Sequence, residues 1–165
     1  MESGQGQRNI KSREGFSDAT AKVSRLLFSV SFSILHNQEL CADAVQNAIM
    51  KAWRNRRSLR EASKFKSWIV KIVINESKHI AKQLKELPLE EDIPAAQFGH
   101  EVRIDVANAV QKLDEKYRIP IVLFYFEDMS VSEIATVLAL PKGTVVSRLS
   151  RARDRLKKEL KDYGI

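Results

Sequence analysis

Apolar residues along this chain recur at helical spacing wherever they are dense. Leu26, Leu27, Val30, Ile34 and Leu35 keep that spacing. So do Leu40, Ala44, Ala48 and Ala52, with Cys41, Val45, Ile49 and Trp53 one step round the wheel. A third helix is expected from about Ser67 to Leu84, burying Trp68, Ile69, Ile72, Val73, Ile80 and Leu84. Further on, Ile104, Val106, Ala109, Val110 and Leu113 mark another. A helix from Asp114, a candidate cap, to about Phe126 is then expected, with Pro120 inside it giving a late start or a kink. The β-branched runs also satisfy the helical period and no hairpin signal divides them, so strands are not expected.

The last stretch, LPKGTVVSRLSRARDRLKKEL from Leu140 to Leu160, has the sharpest division of faces. Val145, Leu149, Ala152, Leu156 and Leu160 fall on one stripe. Opposite lie Ser147, Ser150, Arg151, Asp154 and Lys158, flanked by Arg148 and Arg155 on one side and by Arg153 and Val146 on the other. The segment before it, MSVSEIATVLAL, pairs Ser130 with Glu133 at capping-box spacing and turns inward with Ile134, Ala135 and Leu138. A short helix, a turn through Ala139, Leu140 and Pro141, and a second helix with a basic outer face form the pattern of a helix-turn-helix. Its bland counterpart is a solvated charged helix closing a small bundle. The small Ser side chains among the Arg residues and the near absence of acids favour DNA.

Between the helical blocks lies KELPLEEDIPAAQFGHE, with Pro88, Pro94, Gly99 and clustered acids, and no periodicity. It reads as a linker over residues 86–104, separating a helical domain at 18–85 from a second at 105–165. Residues 1–17 are polar and read as a tail. The fold expected is all-α: two small helical domains joined by an acidic linker, the C-terminal one a helix-turn-helix. Charge follows the same division. Residues 18–85 hold 13 Lys and Arg against 5 acids, the linker 1 against 5, and residues 105–165 hold 11 against 9. With a net charge of +7, a polyanionic partner is expected, bound in a salt-dependent way.

The remaining composition excludes more than it suggests. One cysteine, Cys41, forms no internal disulfide, and His36, His79 and His100 have no metal-site spacing. No nucleophile motif, phosphate-binding Gly loop or acid–base carboxylate pair is present, so neither enzymatic activity nor a cofactor or metal is expected. No apolar run reaches the length of a membrane span and no signal-peptide core opens the chain, which points to a cytoplasmic protein without membrane insertion. The loop RNRRSLREASKFKSW combines four Arg and two Lys with Phe65 and Trp68, a composition suited to separated strands: cations for phosphates and a surface for an unstacked base. Trp68 keeps register with Ile72 and is assigned to the core.

Taken in order, DAVQNAIMKAW (Asp43 to Trp53), KFKSWIVKIVINESKH (Lys64 to His79) and LDEKYRIPIVLFYFEDMSVSEIATVLALPKGTVVSRLSRAR (Leu113 to Arg153) resemble the bacterial RNA polymerase sigma factors, in their extracytoplasmic-function group. The resemblance implies a promoter-specificity subunit with three surfaces. On the second helix, Asp43, Gln46, Asn47, Lys51 and Arg54 would dock on the clamp helices of the largest subunit of core RNA polymerase; Asn47 stands where the family usually has an acid. Arg57, Arg60, Lys64, Phe65, Lys66, Lys71, Asn75, Lys78, His79 and Lys82 would bind and help open the −10 element, with His79 in place of a usual Asp. Lys142, Thr144, Ser147, Arg148, Ser150, Arg151 and Arg155 would read the −35 element of promoter DNA; an Arg or Lys is common where Val146 stands. The resemblance also implies an anti-sigma factor as a partner, and a linker that threads through basic channels of the polymerase. Two other readings stay open: an autonomous helix-turn-helix transcriptional regulator, which leaves the aromatic–basic loop unexplained, and a helical adaptor that binds protein alone.

Overall fold

The computed structural model describes residues 9–86 and 104–162 of the chain. Among them, three helices form an N-terminal module: α1 (Arg13–Leu35), α2 (Gln38–Asn55) and α3 (Phe65–Lys85), with short 3-10 turns at Arg56–Ser58 and Ala62–Lys64 between the last two. Helix α1 starts well before Ser17, inside the stretch whose polarity suggests a tail. The Ser12 side chain accepts the Gly15 amide at 3.1 Å, which caps the helix, while Ile10 and Phe16 enter the core. Gly15 is required there, because a Cβ would lie 2.3 Å from the Asn9 carbonyl oxygen. At the other end His36 takes a left-handed conformation with φ of 52°, and Asn37 caps α2 by accepting the Leu40 amide.

Helix α2 turns a stripe of small residues inward: Cys41, Ala44, Ala48 and Ala52 are fully buried. Short side chains let α1 and α3 approach closely, so the seam depends on shape; any enlargement at these positions overpacks it. Two polar contacts tie the helices to one another. Ser77 donates to Ser31 at 2.9 Å, joining α3 to α1, and Lys51 on α2 bonds to the buried Glu76 on α3.

The C-terminal module holds α4 (Ile104–Lys112), α5 (Glu115–Ile121), α6 (Val131–Leu138) and α7 (Lys142–Asp162). Pro120 lies inside α5, and the chain beyond it widens into a π-helical turn over Val122–Phe126 rather than continuing as a regular helix to Phe126. A proline supplies no amide to the ladder and crowds the carbonyl four residues before it, here that of Lys116 in the first turn of α5. Asp128 at φ of 51° and the Met129 amide on the Leu123 carbonyl then end the element. Helix α6 opens with the expected capping box of Ser130 and Glu133. It closes on Ala139 in a left-handed conformation, with the Leu140 amide on the Ala135 carbonyl. That turn sets α7 across α6, and Val145, Leu149 and Ala152 enter the core.

The two modules are packed together. Helices α1 and α3 meet α5, α6 and the π-helical turn, and one continuous cluster of buried side chains runs through both. Of the expected linker at 86–104, residues 87–103 lie outside the described residues; Glu86 is the C-cap of α3 and Ile104 the first residue of α4.

Candidate nucleic-acid interface

Helix α7 presents its expected basic ridge to solvent. Lys142, Ser147, Ser150, Arg151 and Arg155 are exposed, and Thr144 and Arg148 are half-buried. Not every group on this ridge is equally available. Arg155 donates to Asp114 at 2.9 Å and lies 4.5 Å from the centroid of the Tyr117 ring, so it braces α7 against the start of α5. Ser147 donates its hydroxyl to the Thr144 carbonyl within its own helix. Arg151 is exposed as well, and its guanidinium hydrogen-bonds to the side chain of the same Tyr117.

Helix α3 carries the second basic face. Lys71, Asn75, Lys78, His79 and Lys82 are exposed along one side, and Arg57, Arg60 and Lys64 are exposed in the loop before it. Two members are tied to the other module: Lys66 donates to the Glu127 carbonyl at 3.0 Å, and Lys78 pairs with Glu115 at 3.3 Å. Lys64 pairs locally with Glu61, and His79 shares a hydrogen bond with Gln83. Phe65 differs from its expected role. Only 5% of it is exposed, and its ring meets Phe16 and Trp68, so in this conformation it is a core residue and offers no face to a base. The sequence pattern hides this because Phe65 packs on residues of α1 that lie far away in the chain.

On α2, Asp43, Gln46, Asn47 and Arg54 share an exposed face. Lys51 is also solvent-exposed, but its ammonium is committed to Glu76 beneath it, which makes it a brace between α2 and α3. Met50 stands within this face and also borders an apolar groove of about 700 Å³ formed with Phe16, Ile49 and Trp53.

The residue that sequence reasoning missed is Arg118. It lies in the apolar run Tyr117 to Phe124 and is almost entirely buried. Its Nε donates to the Ser33 carbonyl at the end of α1 at 2.6 Å, and Nη1 to the Gln111 and Leu113 carbonyls at 2.9 and 2.7 Å. One guanidinium therefore saturates carbonyls from both modules. A lone Arg inside an apolar run was the available signal. Close by, burial and the Arg118 charge hold the His36 imidazole below its ordinary pKa of 6.5. Glu127, at the other end of the contact, is pushed above its ordinary 4.5 by burial, although Ser29, Lys66 and Arg25 oppose the shift. Where the modules meet, Lys78 of one basic face and Arg148 of the other line a single cleft of about 240 Å³ with Glu115 and Lys116.

Comparison with known proteins agrees with this geometry. Residues 21–86 match the family Sigma-70 region 2, and residues 103–156 match Sigma-70, region 4. The chain is 27% identical to the RNA polymerase sigma-H factor of Pseudomonas aeruginosa, covering 90% of this chain and 87% of that one. It is 30% identical to the ECF RNA polymerase sigma factor SigM of Mycobacterium tuberculosis, over 87% of this chain and 76% of that one. Among solved structures, the sigma factor RpoE of Bartonella quintana, crystallised with the anti-sigma factor NepR, matches with a TM-score of 0.75 and 29% identity, over 90% of this chain and 98% of that one. CnrH, solved with the cytosolic domain of CnrY, shares the fold at a TM-score of 0.70 and 23% identity, over 92% and 90% of the two chains. Two helical modules, each with its own exposed basic face and each matching one sigma region in the expected order, leave one assignment: the chain belongs to the extracytoplasmic-function (ECF) group of RNA polymerase sigma factors.

Proposed function

We propose that the N-terminal module, α1 to α3, docks on the clamp helices of core RNA polymerase through Asp43, Gln46, Asn47 and Arg54 and engages the −10 element through α3 and the loop before it. The C-terminal module, residues 105–165, reads the −35 element with α7. The chain catalyses nothing itself; it lends sequence recognition and strand opening to the polymerase, and it works in the cytoplasm. Among the described residues no helix is long and apolar enough to cross a membrane. The observation that carries the reading is the pair of basic faces on α3 and α7, borne by modules that match different sigma regions. An autonomous regulator would need the second of these faces alone and would leave the first without a purpose.

Distance then sets a requirement. Elements about 25 base pairs apart by name lie roughly 85 Å apart along B-DNA, whereas a packed chain of this length is about 40 Å across. The two faces reach both elements only if the modules separate. The 17 residues between the described segments can span at most about 60 Å, enough for that separation once the modules' own width is added. An anti-sigma partner that holds the modules together would then block promoter binding.

The test mixes purified core polymerase with the full chain and a promoter library and sequences the transcripts. Initiation at a shared pair of motifs, dependent on the chain, supports the reading. Tight duplex binding without polymerase, and no dependent initiation, would support an autonomous regulator instead.

A further inference from the structure

Three large hydrophobic side chains stand exposed among the described residues: Met50, Tyr125 and Val146. Two have local company. The Tyr125 hydroxyl accepts from Arg153 at 3.1 Å, and Met50 borders the groove with Phe16 and Trp53. Val146 is the most exposed of the three, at 52%, and it sits near the start of α7. At about 100° per residue, Gly143, Val146, Ser147 and Ser150 form one narrow strip, with Lys142 and Arg151 on its two flanks. A Cβ at Gly143 would meet nothing within 4 Å, so the strip is open along its first turn. Its side chains are all short, which allows the helix to approach the floor of a groove closely while the flanking cations meet the walls.

An exposed valine is a poor choice for helix stability alone, since a β-branched side chain loses rotamer freedom that Lys or Arg would keep. Its chemistry suits one target in the major groove. The edges of the bases there present donors, acceptors and a single apolar group, the C5-methyl of thymine. We infer that Val146 is a specificity-determining residue that packs on a thymine methyl of the −35 element, selecting an A·T pair at that position. The inference rests on the proposed reading of α7 as the −35 helix.

The test uses the full chain with core polymerase on a promoter recovered from the library. Each −35 thymine, on either strand, is replaced in turn by deoxyuridine, which removes the methyl and leaves every hydrogen-bonding group in place. Wild-type binding should weaken about fourfold at one thymine, the effect of exposing one methyl group. V146A should lose the sensitivity at that thymine only, and V146T, which keeps a methyl in the same place, should retain part of it. Because the side chain is exposed, neither change disturbs the core. Initiation without any deoxyuridine-sensitive −35 position, or V146A with the wild-type sensitivity, overturns the inference and leaves the sigma reading intact. No chain-dependent initiation at any promoter overturns both.

Discussion

The two modules carry similar basic faces on differently built supports. In the N-terminal module the cations of α3 stand over a seam of alanines and paired hydroxyls, and two are tied to the other module: Lys66 to the Glu127 carbonyl and Lys78 to Glu115. In the C-terminal module α7 is held by large branched side chains, and the middle of its ridge, Ser147, Ser150 and Arg151, is exposed. A spread of exposed cations along a rigid bundle can follow a backbone without reading its sequence. Short hydroxyls around a guanidinium anchored on Tyr117 can enter a groove and discriminate. The division we propose is charge-driven grip in one module and sequence readout in the other, and each prediction below tests that division or the joint that connects its halves.

The largest effect is expected at the joint. Arg118→Ala leaves the Ser33, Gln111 and Leu113 carbonyls without their donor in a buried setting. The expected loss is on the order of 3 kcal/mol, since each buried unsatisfied group costs about 1–3 kcal/mol and water reaches some of them once the side chain is gone. Ser33 belongs to the other module, so the variant should also uncouple the two. Calorimetry should change from a single transition to two, with the C-terminal module melting first. A single transition at the wild-type temperature would show that the guanidinium joins nothing.

Next come the two faces themselves. Arg151→Ala should reduce discrimination among −35 variants by about 1–3 kcal/mol, the worth of one bidentate base contact. Lys82→Ala should weaken binding evenly across sequences and lower the salt slope by about one phosphate contact. A filter-binding series over a set of promoter variants at several salt concentrations checks both. The comparison breaks if Arg151→Ala acts evenly or if Lys82→Ala alters the preferred sequence.

How much of this was legible beforehand follows the range of each interaction. The alanine stripe of α2, the Ser130–Glu133 box and the faces of α7 are set by neighbours within a few turns, and periodicity displays them. The start of α1, the burial of Phe65, the pairing of Lys51 with Glu76 and the reach of Arg118 to Ser33 depend on residues that meet only after the chain folds back. Periodicity says that a side chain is turned inward, and nothing about which distant group waits there. Phe65 shows the consequence: an aromatic among cations has the composition of a base-stacking surface, and only the position of Phe16 decides otherwise.

The smallest predicted effect separates the two titratable groups at the joint. His36 has its pKa lowered by burial and by Arg118, so below pH 6.5 the unfolded chain takes up a proton that the folded chain refuses. Stability therefore falls as pH drops through that window. Glu127 has its pKa raised by burial, so above pH 4.5 the folded chain keeps a proton that the unfolded chain releases, and stability falls as pH rises. The two dependences oppose each other across the mildly acidic range. Asparagine tolerates the left-handed backbone of His36 and does not titrate, so His36→Asn should leave the Glu127 trend alone: stability declining from pH 4.5 upward. Glu127→Gln should leave the reverse, a decline below pH 6.5. Urea denaturation at a series of pH values resolves the two. If both variants keep the wild-type profile, neither group senses the contact between modules, and Arg118 joins them without help from the residues around it.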